Sequence, residues 1–327
     1  MKQEQFVQGR RPAWELLRRL LDQLEKPSRR REAAPLEQLP ELYRQVCADY
    51  ALARHRSYSS ALVDELHGLT LRGHRQLYRR KSLWWWRAVR FVRSEFPRTL
   101  RRNARLFWLA SALFYLPAVV MGGLCYHDGD FIYTVMSSKQ VSRMEYMYDP
   151  ANSKLGRSQA RESSTDVQMF GYYVWNNIGI GFRTFASGIV FGLGPLLLLL
   201  FNGVTIGSVA GHLTQLGFLG TFWPFVAGHS AFELTAICIS GTAGLMLARA
   251  LLAPGRRSRA EALRAEAHEA VKLVMGAALM LLVAACIEAF WSGDGAIAPP
   301  VKFAAAALLW LAVILYLSLA GRDQDGA

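Results

Sequence analysis

Cysteine is scarce in this chain. Its 327 residues include four, Cys47, Cys125, Cys238 and Cys286, with no CxxC spacing. No disulfide framework follows from that pattern; three of the four lie in or beside apolar runs and read as small hydrophobes. Catalytic signatures are missing as well. There is no HExxH, no GxSxG and no phosphate-binding glycine loop, and no nucleophile stands beside a plausible base. A non-enzymatic protein is therefore expected, with no catalytic residues, no metal and no cofactor. No nucleic-acid recognition motif accompanies the basic residues. The start, "MKQEQFVQGRRPAWELLRRLL", is polar and lacks the apolar core of a secretory leader, so insertion is expected to rely on internal segments.

What is present is apolar mass and uneven charge. Hydrophobic residues make up 52% of the chain and the net charge is +13. Residues 1–103 hold 23 Lys/Arg against 11 Asp/Glu, a net of +12, whereas residues 104–327 hold 15 against 14, a net of +1. Such asymmetry fits either a nucleic-acid arm or a surface facing anionic lipid. The apolar two-thirds decides for lipid, because it contains several runs near the roughly 20 residues needed to span a bilayer. Membrane lipid, not nucleic acid, is the expected partner.

The spans are read at about 105–125, 179–201, 203–222, 224–252, 271–291 and 301–320. Six spans put both termini on one side. "RRNAR" before the first, "PGRRSRAEALR" after the fourth and Arg322 after the sixth then all fall in the cytoplasm. The loop 126–178, with five Lys/Arg and six Asp/Glu, falls outside. Each flank obeys the positive-inside rule. The expected fold is all-α: a polytopic helical bundle of about six spans (residues 104–327) behind a basic cytoplasmic helical domain (residues 1–103). The loop 126–178 is too long to be a mere connection and carries loosely amphipathic patterns of its own.

Within residues 1–103, "PAWELLRRLLDQLE" places Pro12 at a helix start with leucines on one face. "KPSRRREAAP" reads as a linker. Leu62, Leu66, Leu69 and Leu77 continue the helical spacing. Near 83–103, Trp84, Trp85 and Trp86 beside Arg87, Arg90 and Arg93 suit a helix at the membrane interface, rings at headgroup level and arginines on anionic lipid.

Polar groups inside the spans are the candidate site. "GHSAFELTAI" puts His229 and Glu233 at i and i+4, on one helix face. A buried charge there costs a few kcal/mol or more, so the pair needs a reason. A metal pair, a proton relay and a hydrogen-bonded packing pair all fit, and two ligands do not complete a metal site. Glu288, in "CIEAFW", is a second intramembrane acid, placed either near the interface with Trp291 or facing the interior. Arg183 is the obvious countercharge, and a pairing with Glu233 would neutralise both. Asn177 and Asn202 complete the expected polar core, with Asn202 and Gly203 breaking the chain between spans 2 and 3. Gly188 and Gly192 form a GxxxG, and Gly203, Gly207 and Gly211 recur at steps of four. Such stripes let helices approach closely, within one chain or across a homodimer.

Taken in order, these motifs are similar to a known family. "ELYRQVCADYALAR" and "ELHGLTLRGHRQLY", "FPRTLRRNARLFWLASALF", "YVWNNIGIGFRTFASGIVFGLG", "LLFNGVTIGSVAG", "HSAFELTAICISGTAGLMLA" and "CIEAFWS" resemble the stage II sporulation protein M family of bacterial membrane proteins. The resemblance runs from about residue 38 over most of the chain. Ser230 stands where the family usually has glycine. The resemblance implies a multi-pass protein of the bacterial inner membrane. It also implies a non-enzymatic role in an envelope complex, since the founding members act in engulfment with cell-wall hydrolases. Members with this N-terminal extension look like proteins of non-sporulating bacteria encoded near MoxR-type ATPases, which makes such an ATPase system an expected partner. A transporter or channel using the His/Glu centre is the alternative.

Overall fold

The structure, a computed structural model, describes residues 2–25, 36–77, 84–151 and 163–322. The expected linker at 26–35 and part of the outer loop lie outside them. All secondary structure among the described residues is helical, and the chain divides into two compact units, Met1–Trp85 and Trp86–Ala327.

The first unit holds three helices, α1 (Gln3–Glu25), α2 (Leu39–His55) and α3 (Ser60–Leu77). Their apolar faces meet in one core around Phe6, Trp14, Leu17, Leu21, Val46 and Leu66. Trp14 brings its indole N–H into that core and donates to the buried Asp49 carboxylate at 2.8 Å. Arg72 ties α3 to α1 by pairing with Asp22 at 2.5 Å and Glu25 at 2.9 Å. Pro12 does not start α1 but lies inside it. The preceding turns are held by Phe6, packed on Trp14 and Tyr58, and by Gln3, whose amide exchanges two hydrogen bonds with Ser59. Those tertiary contacts offset the backbone bond that the proline removes.

The boundary between the units falls within α4 (Trp84–Arg90), which passes through a π turn, Phe91–Glu95, into α5 (Phe96–Arg102). Trp85, Trp86, Arg87, Arg90 and Arg93 are exposed, whereas Phe96, Pro97, Thr99 and Leu100 are buried. The side chain of Trp84 lies outside the described residues. The remaining described helices follow: α6 (Ala104–His127), α7 (Ser138–Tyr148), α8 (Ser163–Ala186), α9 (Leu193–Gln215), α10 (Phe222–Leu252), α11 (Arg259–Ile287) and α12 (Pro299–Leu319). Five of them, α6, α9, α10, α11 and α12, are long and apolar enough to cross a membrane; α8, with Asn176, Asn177 and Arg183, is long enough but less apolar.

The helices depart from two of the expected boundaries. The second expected span is cut by a turn at residues 187–192, and the chain from Leu193 to Gln215 is a single helix that runs through Asn202 and Gly203 without a break. Gly192 makes that turn possible, with φ of 86° in the left-handed region that side-chain-bearing residues avoid. Gly192 is thus a turn residue, and the expected GxxxG face with Gly188 does not exist as a helix face. The Asn202 amide is satisfied locally, donating to the Leu198 carbonyl at 2.7 Å, so it does not interrupt α9.

Direction is read from which residues meet. Gly203, Gly207 and Gly211 lie on the backbone of Phe114, Ala118 and Gly122 in the same order, so α9 runs parallel to α6. A Cβ at any of the three would overlap a carbonyl of α6. His229 meets Ser292 and Arg249 meets Glu266, so α10 and α11 are antiparallel. Gly181 lies on Ser240 and Gly188 on Gly244, so α8 runs with α10. Trp310 donates to Ser230 while Lys302 reaches Ser292, which sets α12 beside α10 and beside the π turn that follows α11. α10 is buried along nearly its whole length, packed on α6, α8, α9, α11 and α12. The two ends of the unit differ in charge. Arg98, Arg101, Arg102, Arg105, Arg256, Arg257, Arg259 and Arg322 gather at one end, and Asp128, Asp130, Glu145, Asp149 and Asp294 at the other.

Candidate functional site

The polar side chains converge near the acidic end of α10. Gly228 and His229 are neighbours there, and Glu233 lies one turn further along. α11 arrives antiparallel and ends in a π turn, Glu288–Ser292. The ring of Trp291 lies against Gly228, where a Cβ would collide with it. That close approach, together with the extra residue in the π turn, aims both Glu288 and Ser292 at α10. π turns of this kind recur at functional sites.

His229 is buried and its Nδ1 lies 3.1 Å from the Ser292 hydroxyl. Its Nε2 stands 3.9 Å from a Glu233 carboxylate oxygen, too far for a hydrogen bond. One donor atom from each of His229, Glu233 and Glu288 falls within 4.8 Å of the others. The ring of Phe225 packs edge-on against the imidazole. Lys302, also buried, donates to the Ser292 carbonyl at 2.7 Å, which places an amine behind the serine that holds the histidine. From outside the spans, Tyr148 at the end of α7 packs on Phe222 and Phe225. Burial pushes its phenol well above the ordinary range, and the nearby carboxylate of Glu288, then Tyr173, then Glu233, push it further. Tyr148 therefore lies within electrostatic reach of both acids.

The electrostatics are demanding. Two ionised carboxylates within 4.8 Å of one another would repel by about 3 kcal/mol at an effective dielectric constant near 20. Either one acid keeps its proton or a cation sits between them. The same three groups can hand a proton between imidazole and carboxylate, or offer one nitrogen and two oxygens to a metal.

Of the other expected core residues, the structure brings none into this cluster by a described contact. Arg183 is exposed, bonded to the Gly179 carbonyl of its own helix at 3.0 Å, and makes no pair with Glu233. Asn177 is buried on α8 and accepts from Asn176 at 3.1 Å. Asn202 lies on α9. What the sequence reading missed is the surrounding shell: Ser292, Lys302, Tyr148 and the Gly228–Trp291 contact. Ser292, four residues after Glu288, carried a usable signal. Tyr148 carried none, because it arrives from a separate segment.

A bundle of long apolar helices with a small polar cluster at one end defines a helical membrane protein. Residues 111–293 match the family model described as Stage II sporulation protein M, and residues 4–79 match one described as Domain of unknown function (DUF8413). The first match covers more than half of the chain, and the chain belongs to the stage II sporulation protein M family. No curated protein and no solved structure matches it.

Proposed function

We propose that the chain is a non-enzymatic, multi-pass component of the bacterial inner membrane that docks cytoplasmic and envelope proteins in one assembly. The observation that carries this reading is α10. The most enclosed helix of the bundle runs where a channel would need a lumen, and glycines press α9 against α6 beside it. Such packing suits a rigid platform. The charge difference between the ends supports an orientation with the arginine-rich end, and both termini, in the cytoplasm. α7 and the loop around it then face the envelope. The first unit, which has its own core, is the surface offered to cytoplasmic partners, for which a MoxR-type ATPase system fits the family resemblance. Gly203, Gly207 and Gly211 are used inside the chain, so a homodimer would have to form on another face.

The direct experiment is gentle cross-linked purification from native membranes with mass spectrometry of what co-purifies. Stoichiometric recovery of an ATPase or an envelope protein is expected. Recovery of the chain with no second protein would sink the assembly reading. A second reading, transport, is favoured by the His229, Glu233 and Glu288 cluster. It requires pH-dependent flux in proteoliposomes that is lost in Glu233→Gln.

A further inference from the structure

We propose that His229, Glu233 and Glu288 bind a divalent transition-metal ion of the zinc class at the join of α10 and α11. The donors come from two helices and include an imidazole. One atom from each lies within 4.8 Å of the others. Donors around a tetrahedral zinc, at bonds of about 2.0–2.2 Å, stand about 3.3–3.6 Å apart. The 3.9 Å between His229 Nε2 and Glu233 is close to that spacing and too long for a hydrogen bond.

A second observation is independent of the donor distances. Ser292 occupies Nδ1 of His229 and leaves Nε2 to the cluster. Metal-bound histidines are held in this manner, the far nitrogen bonded to an outer partner that sets ring orientation. Lys302 in turn holds the Ser292 carbonyl, so the shell has two layers. Charge points the same way: a doubly positive ion neutralises two carboxylates that otherwise repel. Donor chemistry narrows the metal. Calcium takes six to eight oxygens and magnesium keeps several waters, whereas a site with imidazole and only two carboxylates favours zinc and its neighbours. Three protein donors leave one position of a tetrahedral ion for water or an outside group. The ion would fasten the end of α11 to α10, beneath Tyr148 of α7. This holds whichever reading of the chain's wider role stands.

The test uses the full-length protein in detergent. It is purified, stripped with chelator, and incubated with zinc or cobalt(II). Expected are one ion per chain by elemental analysis and, with cobalt, the visible absorption of a low-coordinate site. Glu288→Gln and His229→Ala should each lower metal content at least tenfold. Undiminished metal in both variants would overturn the proposal, because the ion would then be bound elsewhere. Should the variants fail to fold, the unaltered protein still decides. No stoichiometric uptake of zinc or cobalt by it overturns the proposal outright.

Discussion

At the scale of single residues, the glycines of α9 differ from the rest in what surrounds them. A Cβ at Gly207 would overlap the Ala118 carbonyl, a backbone atom that cannot rotate away, whereas nothing lies within 4 Å of a Cβ at Gly123. Gly207→Ala is therefore expected to destabilise the bundle by about 1–3 kcal/mol through overpacking. Gly123→Ala should change it by no more than about 0.5 kcal/mol. Unfolding of the two variants in the same detergent, followed by denaturant titration, checks both. Equal stability would mean that α9 and α6 are not in the close register described. The four-residue spacing that makes this stripe was visible in the sequence. What could not be seen was that the partner is α6 of the same chain, and that Gly192, one of the expected packing glycines, is needed for a left-handed turn instead.

At the scale of elements, the helices were legible wherever apolar spacing was regular, and their ends were not. Pro12 looked like a helix start because proline suits the first turn; Phe6 and Gln3 extend α1 past it through contacts with residues more than 50 positions away. Asn202 and Gly203 looked like a break because both are poor helix formers; close packing on α6 keeps them helical. In the first unit, Trp14 and Asp49 join α1 to α2 by a buried hydrogen bond. Trp14→Phe keeps the aromatic bulk and strips the carboxylate of that donor, which costs about 1–3 kcal/mol. Amide exchange in α1 and α2 of the full-length protein should accelerate by on the order of tenfold or more. Unchanged protection there would show that the bond carries no stability.

At the scale of the molecule, the basic and acidic ends of the second unit make a statement about orientation that chemistry can check. Introduce single cysteines as Arg256→Cys and Asp130→Cys into a chain whose four native cysteines have been replaced. A thiol reagent that cannot cross the membrane should modify position 130 in intact cells and position 256 only after permeabilisation. The reverse pattern would invert the proposed topology, and modification of both in intact cells would remove it. The cluster of His229, Glu233 and Glu288 lies toward the same end as position 130, so orientation also decides from which side a metal ion would reach it.

The sequence by itself determined the class of the molecule: helical, membrane-bound, basic at its start, with a histidine and a glutamate on one face of a helix. Those properties follow from composition and from spacings within about two turns, which are local. Only the tertiary structure decided that Glu288, rather than Arg183, meets that pair, and that Ser292 holds the histidine from behind. Glu288 is 55 positions from Glu233 along the chain. Its arrival depends on the antiparallel return of α11, on the bare Gly228 that admits Trp291 and on one extra residue in a π turn. None of these has a periodic signature, because each is a fit between two surfaces and not a pattern along one.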